Sequence, residues 1–223
     1  MNTTDFAKLR STIRTNLTDM AKEDPQYKRV LKLMELAAQF HNGMRKDGVT
    51  PEFYHQLSIL GVAMTQHLNL SSPAMVYQAI LAHDMIEDFP ESKAVLAEQF
   101  PEVVAYSVTL SKYREGVEIS KNQYFQEISH CPVASVAKLI DRLHNLSTMA
   151  GVFTNEKMLS YAKEVDDYFL PMAKTARKLF PEQKAFYELA KSMLVDQVRM
   201  VNYFVPQLMA RAKRLADEPS PGM

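Results

Sequence analysis

Residues 73–88 read Pro-Ala-Met-Val-Tyr-Gln-Ala-Ile-Leu-Ala-His-Asp-Met-Ile-Glu-Asp, an apolar run that ends in one imidazole and three carboxylates. Ser71-Ser72-Pro73 supplies a cap and a first-turn proline, so the run opens as a helix and is expected to continue through Asp88. His83 and Glu87 are four apart, as are Asp84 and Asp88, which stacks each pair one turn above the other. Such a group at the end of an apolar helix repels itself and is costly to desolvate unless a cation sits within it. A divalent ion removes that penalty. The plain alternative is a last turn that simply reaches solvent, although acidic groups there oppose the helix dipole.

A second polar patch interrupts another apolar helix. Residues 133–150 carry Val133, Val136, Ala137, Leu139, Ile140, Leu143, Leu146 and Met149, so Asp141 sits amid core-forming sequence. A charged Asp is almost never buried unless it is paired or ligating. Asn145 and Thr148 fall one and two turns further along the same side and extend a polar stripe. The plain alternative is a surface pair of Asp141 with Lys138 or Arg142. His55 lies beside the Phe53, Leu57, Leu60 and Met64 stripe of its own segment, and by itself reads as packing. His67 and His130 read as ordinary packing or surface residues, and His41, which closes an apolar helix, as a supporting or structural one. Adjacent His130 and Cys131 do not have a zinc spacing. Two imidazoles and two carboxylates, His55, His83, Asp84 and Asp141, form a mixed nitrogen and oxygen set. That set suits a first-row divalent ion with open positions, Mn²⁺ more naturally than a closed zinc site.

Outward from these patches the chain reads as helix almost throughout. Phe6, Leu9, Ile13, Leu17 and Met20 recur at helical spacing, and a second helix runs from Asp24-Pro25 to about His41. Residues 42–51 form a polar loop, and helices are expected at 52–68, 92–100 and 101–111. The charged segment 112–121 reads as a flap beside the core. Residues 155–218 read as two long helices broken at Phe180-Pro181, with a kink at Pro206 and a frayed tail after it. No strand-like alternation is found, so the expectation is an all-α fold of at least eight helices. The last helix carries more apolar residues than one buried face needs, which predicts both a core contact and a homodimer contact.

Hydrophobic residues at 47% and charged residues at 23% of 223 are globular proportions, enough for one buried domain. The 26 basic and 26 acidic residues balance, so no overall field favours nucleic acid or an anionic membrane. The first 20 residues lack the apolar core of a signal peptide, no stretch approaches a membrane span, and one cysteine excludes an internal disulfide. A cytoplasmic location is the expectation. The 14 methionines read as core filler.

Taken in order, His55, the HDMIED run at 83–88 and the KLIDRLHN run at 138–145 resemble the HD-domain hydrolases of the RelA/SpoT type. The loop FHNGMRKDG at 40–48 and, more weakly, DDYFLPMAKTARKL at 166–179 extend the resemblance over roughly residues 27–180. The resemblance implies an all-helical HD bundle over residues 1–180, a helical extension over 181–218 packed on it, and a disordered tail over 219–223. It also implies Mn²⁺-dependent removal of the 3′-pyrophosphate from the alarmones ppGpp and pppGpp. Carried over by position, His55, His83, Asp84 and Asp141 would hold the metal, and Glu87 and Asp88 would position and deprotonate the attacking water. Asn145 would contact the ribose, Arg45 and Lys46 the base and phosphates, and Thr148 the base edge.

Two features depart from the family pattern: Gln56 stands where Pro is usual, and the loop from Arg45 to His55 is about one residue longer. The longer loop bears on base specificity more than on metal binding, because the added length falls in the base-contacting loop. With no synthetase segment following, the expectation is a stand-alone small alarmone hydrolase. The rival readings are another nucleotide phosphohydrolase on the same site, acting on a nucleoside monophosphate, ppApp or NADPH, and a non-catalytic nucleotide-binding regulator.

Overall fold

The helix at the centre of the molecule is the apolar run just quoted. In the computed structural model, which describes residues 3–217, α2 (Gln26–Phe40) and α3 (Phe53–Thr65) pack on α4 (Pro73–Ala82), and α1 (Thr3–Glu23) packs on α2 and α3. Helix α4 is buried on every side from Val76 to Ala82, as expected of a helix apolar all round. Burying Val76, Ile80 and Leu81 alone contributes about 5–9 kcal/mol. That anchor lets the end of the helix carry groups that are unfavourable in an interior.

Helix α4 stops at Ala82, and a separate turn, α5 (Met85–Asp88), follows. This corrects the single helix expected through Asp88. The His83 ring Nδ1 lies 2.7 Å from the Ile80 carbonyl, the acceptor that the Asp84 amide would use in a continuing helix. The backbone restarts at the Asp88 amide, which donates to the Asp84 carbonyl at 2.8 Å.

Helices α6 (Ser92–Gln99) and α7 (Pro101–Leu110) follow, then a hairpin, α8 (Lys121–Ser129) and α9 (Pro132–Thr148). The hairpin pairs β1 (Tyr113–Arg114) with β2 (Val117–Glu118), Tyr113 opposite Glu118, and turns through Glu115 and Gly116 at φ 51° and 83°. Two positive φ values at the centre of a two-residue turn are what a right-twisted ribbon requires. Strands of two residues are too short to show alternation, which is why the segment reads as irregular in the sequence. Helix α9 crosses α3, α4 and α7, so the three chemistry-bearing segments meet in the core.

The C-terminal third begins with α10 (Asn155–Glu164), which passes through a π-helical turn (Val165–Phe169) into α11 (Leu170–Leu179). Pro171 cannot donate to the preceding turn, and the wider turn before it absorbs that loss. A short 3₁₀ turn (Pro181–Gln183) at the expected Phe180-Pro181 break leads to α12 (Lys184–Asp217). Helix α12 packs on α9, α10 and α11 and runs through Pro206 without a break. Pro206 is exposed, so the Asn202 carbonyl it frees can be solvated. Tyr203, Phe204 and Leu208 on the same helix are 63%, 53% and 53% exposed, an uncovered apolar stripe. Residue 218 and the tail at 219–223 lie outside the described residues. The architecture is all-α apart from the hairpin. No helix among the described residues is long and apolar enough to cross a membrane.

Candidate metal centre and adjoining cavity

Four residues from three elements converge beneath the loop that joins α2 to α3. His55 comes from the first turns of α3, His83 and Asp84 from the break after α4, and Asp141 from the middle of α9. His55, His83 and Asp141 are all buried, at 5%, 3% and 6% exposure, whereas the Asp84 side chain is 37% exposed. His55 Nε2 lies 3.2 Å from Asp141 Oδ1, and His83 Nε2 lies 2.8 Å from Asp84 Oδ2 and 3.9 Å from Asp141 Oδ1. One ligand atom each from His55, His83 and Asp84 fall within 4.8 Å of one another.

The tautomers favour a cation at this point. His83 Nδ1 can only donate to the Ile80 carbonyl, so its Nε2 is the nitrogen that faces Asp84 and Asp141. With no ion the two carboxylates keep a proton on that Nε2. A divalent ion bound there would take the place of that proton between the ring and the carboxylates. His55 is held in the same way: its Nδ1 is 2.9 Å from His144 Nδ1, and its Nε2 faces Asp141 Oδ1. His55, His83 and Asp84 form a triad that could hold a metal ion, with Asp141 Oδ1 3.2 Å from His55 Nε2 beside it.

The surrounding charges hold the carboxylates ionised. Burial alone would raise the Asp84 carboxyl, but His83 beside it outweighs this and brings it down to about 2. Burial works the same way at Asp141, where Lys138, His55 and His83 reverse it and hold the group well below the ordinary range. Burial would lower His83, and the Asp84 and Asp141 carboxylates overcome it to push the ring up to about 9. Lys138 Nζ sits 3.0 Å from Asp141 Oδ2 with the side chains of both largely buried, so this pair is part of the core and not the surface pair weighed from the sequence. Asn145 Nδ2 donates to Asp141 Oδ1 at 2.6 Å. Arg142, next in the chain, pairs with Glu164 and lies between the Phe169 and Tyr161 rings at 4.2 and 4.3 Å, fixing α9 to α10.

A cavity of about 430 Å³ opens above His55 and Asp84. Arg45, Lys46, Asn145 and Thr148 all line it, and Met149, Val152, Phe153 and Tyr161 give it an apolar end. The loop that presents Arg45 and Lys46 is closed by the Arg45 amide on the Thr50 carbonyl at 2.8 Å. Asp47 reinforces it by accepting from the Val49 and Thr50 amides and from the Thr50 hydroxyl. Glu87 and Asp88 do not line this cavity. Glu87 Oε2 instead accepts from the Lys112 amide at 2.9 Å, tying the helix break to the start of the hairpin. Asp88 is pushed up to about 6, by partial burial first and then by Asp84, Glu87 and Glu52.

His144 is the cavity residue that sequence reasoning gave no role. It lines the cavity, touches His55, and is held down to about 3 by burial, His55 and Arg45, so it stays neutral. A signal was present, because His144 stands three residues after Asp141 on the stripe that also carries Asn145. Tyr54, Glu52 and Gln56 also line the cavity without having been singled out for it.

An all-helical bundle with a buried His/Asp cluster under a basic-and-apolar cavity is the class that fold and site define. No protein-family model matches the chain. Among curated proteins it is 30% identical over 146 residues to a GTP pyrophosphokinase rsh of Brucella ovis, covering 61% of this chain and 19% of that protein. It is 22% identical to a guanosine-3′,5′-bis(diphosphate) 3′-pyrophosphohydrolase of Borreliella burgdorferi over 95% of this chain and 32% of that protein. A protein of the same name from Vibrio cholerae is 26% identical over 71% of this chain and 23% of its own length. The chain thus spans about a fifth to a third of these relatives.

Proposed function

We propose that this chain is a phosphohydrolase dependent on Mn²⁺ or a related divalent ion, and that it removes the 3′-pyrophosphate of (p)ppGpp-type alarmones to give GDP or GTP and pyrophosphate. The observation that carries the reading is the buried convergence of His83 Nε2 on Asp84 and Asp141, with His55 beside them, beneath the cavity. The relatives named as 3′-pyrophosphohydrolases support the choice of substrate class.

In this reading His55, His83, Asp84 and Asp141 hold the ion, which when bound supplies Lewis acidity and makes water easier to deprotonate. Lys138 and Asn145 take one Asp141 oxygen each and fix how that carboxylate faces the cluster. Asp88, near 6, is placed in the range where a carboxylate can accept a proton at neutral pH and return it. Glu87 orients water from the turn beside it, held in place by the Lys112 amide. Arg45 and Lys46 meet the pyrophosphate, Arg as the bidentate partner. The purine lies among Met149, Val152, Phe153 and Tyr161, where Thr148 reaches its edge, and Asn145 faces the ribose.

The test is hydrolysis of ppGpp, ppApp, NADPH and nucleoside monophosphates with Mn²⁺, with Asp84→Ala and Glu87→Ala beside the wild type. Release of intact pyrophosphate from ppGpp is expected, with metal lost in Asp84→Ala and turnover lost with metal retained in Glu87→Ala. Orthophosphate as the product moves the reading to a phosphatase. Nucleotide binding without turnover of any substrate moves it to a regulator.

A further inference from the structure

A second cavity, of about 410 Å³, shares no lining residue with the first. It lies between α11 and α12, which the connection over residues 180–183 folds into a helical hairpin. Arg177 on α11 pairs with Glu188 on α12, and that bridge sets the register of the two helices. Three residues further from the connection on each helix, about one turn, Lys174 comes opposite Lys191. Both lysines are exposed and line the cavity, as Arg177 also does. Among the described residues neither lysine is paired with a carboxylate. Like charges at matched positions disfavour one another unless an anion lies between them.

The floor beneath these cations is fixed. Tyr187 is buried, with its hydroxyl 2.8 Å from the Ser135 hydroxyl on α9 and accepting from Gln183 Nε2 at 3.2 Å. A phosphate offers three acceptor oxygens, enough to meet Lys174, Lys191 and the donors of Arg177 that Glu188 leaves over. A carboxylate offers two and carries less charge. The cavity has more room than a phosphate group fills, and Leu170, Pro171 and the Tyr187 ring make the rest of its wall apolar. Asp166 is the carboxylate in that wall, eight residues before Lys174 and so about two turns away. It keeps a phosphate at the lysine end and offers an acceptor to a hydroxyl on the body of an ester.

We propose that the groove between α11 and α12 is a second binding site, which takes the phosphate group of a small phosphate ester among Lys174, Arg177 and Lys191. The proposal is independent of the metal and nucleotide readings of the first cavity.

The experiment is amide NMR of isotope-labelled, metal-free protein titrated with inorganic phosphate, ribose 5-phosphate, guanosine 5′-monophosphate and succinate. Saturable shifts are expected at the amides of 170–177 and 187–191 with the phosphate-bearing probes and not with succinate. The two esters are expected to bind more tightly than inorganic phosphate, and equal affinity overturns the assignment to an ester. Lys174→Gln combined with Lys191→Gln, both at exposed positions, is expected to weaken binding there at least about tenfold. Lys178→Gln, on the same helix but outside the cavity, is expected to leave it unchanged. Full binding in the double variant, an equal loss in Lys178→Gln, or succinate bound as well as phosphate overturns the proposal. Arg45→Ala is expected to keep the shifts in this groove. Their loss there, or shifts confined to the first cavity in the wild type, overturns the second site and leaves the nucleotide reading standing.

Discussion

Replacing Asp84 by Ala separates a metal centre from a buried ion-pair cluster. The Asp84 side chain is 37% exposed, so its loss empties no part of the core. Without an ion the variant is expected to unfold somewhat below the wild type, because the Asp84 carboxylate, held down to about 2 by His83, stabilises the fold at neutral pH; the response to an ion is what separates the two readings. With an ion the variant and the wild type should part further. A divalent ion at a hundredfold excess over its dissociation constant stabilises a native state that binds it by about 2.7 kcal/mol. For a chain of this size that is a rise of roughly 5–11 °C in the unfolding midpoint. The assay is thermal unfolding with chelator and then with increasing Mn²⁺. Wild type is expected to climb by that amount and Asp84→Ala by little, since one donor from a cluster within 4.8 Å has gone. Arg45→Ala, which removes no candidate ligand, is expected to climb like the wild type. A wild type indifferent to Mn²⁺, or a full rise in Asp84→Ala, would refute the metal reading of His83 and its neighbours.

Glu87→Gln keeps an acceptor for the Lys112 amide and removes the charge, so it should lose turnover while protecting the hairpin from hydrogen exchange as wild type does; Glu87→Ala should lose both. Asp88, raised to about 6 in the folded state, binds its proton more tightly there than in the unfolded chain, so its contribution to stability is present at low pH and is lost as pH rises through about 6. Asp88→Asn should therefore raise the urea midpoint of the metal-free protein at pH 8 and not at pH 4; the reverse order would contradict the assignment. Arg142→Ala removes one partner of a buried pair and should destabilise by about 3 kcal/mol in urea unfolding, the low end for such a break because Lys121 still meets Glu164. Light scattering at micromolar concentration should give the mass of a dimer formed through the Tyr203, Phe204 and Leu208 stripe, and a monomer would remove that contact.

The helices were readable because apolar spacing is a local property: Ile13 and Leu17, or Val76 and Ile80, reveal the face they bury before any partner is known. Interruptions were less so. The break at His83 depends on a ring nitrogen reaching the Ile80 carbonyl, which the identity of the residues does not reveal. The π turn did have a signal in Pro171, in the middle of a periodic run, where a proline must be accommodated by a wider turn or a break. Within the site, charged residues on apolar helices marked Asp84 and Asp141, since such placement needs a compensating charge. His144 escaped because its meaning lies in His55, 89 positions away in the chain. Spacing brought Lys138 and Asp141 together but was silent on depth, and depth is what separates a weak surface pair from a buried one.

Depth also explains how the cluster is held ready. Asp141 receives Asn145 on Oδ1 and Lys138 on Oδ2, while Oδ1 remains the oxygen nearer to both imidazoles. Each imidazole has its other nitrogen engaged, His83 by a carbonyl and His55 by His144. None of these four constraints involves the residue that reaches solvent most, Asp84. The rigid part of the site is thus built by α3, α4 and α9 as they pack, which in the metal reading leaves one side chain for an arriving ion to order. That division assigns the entry side of the site to Asp84, which lines the cavity, and the fixed side to Asp141, which does not. It follows that substitutions at Lys138 or Asn145 should act through the position of Asp141, loosening the cluster from behind while leaving the route into it intact.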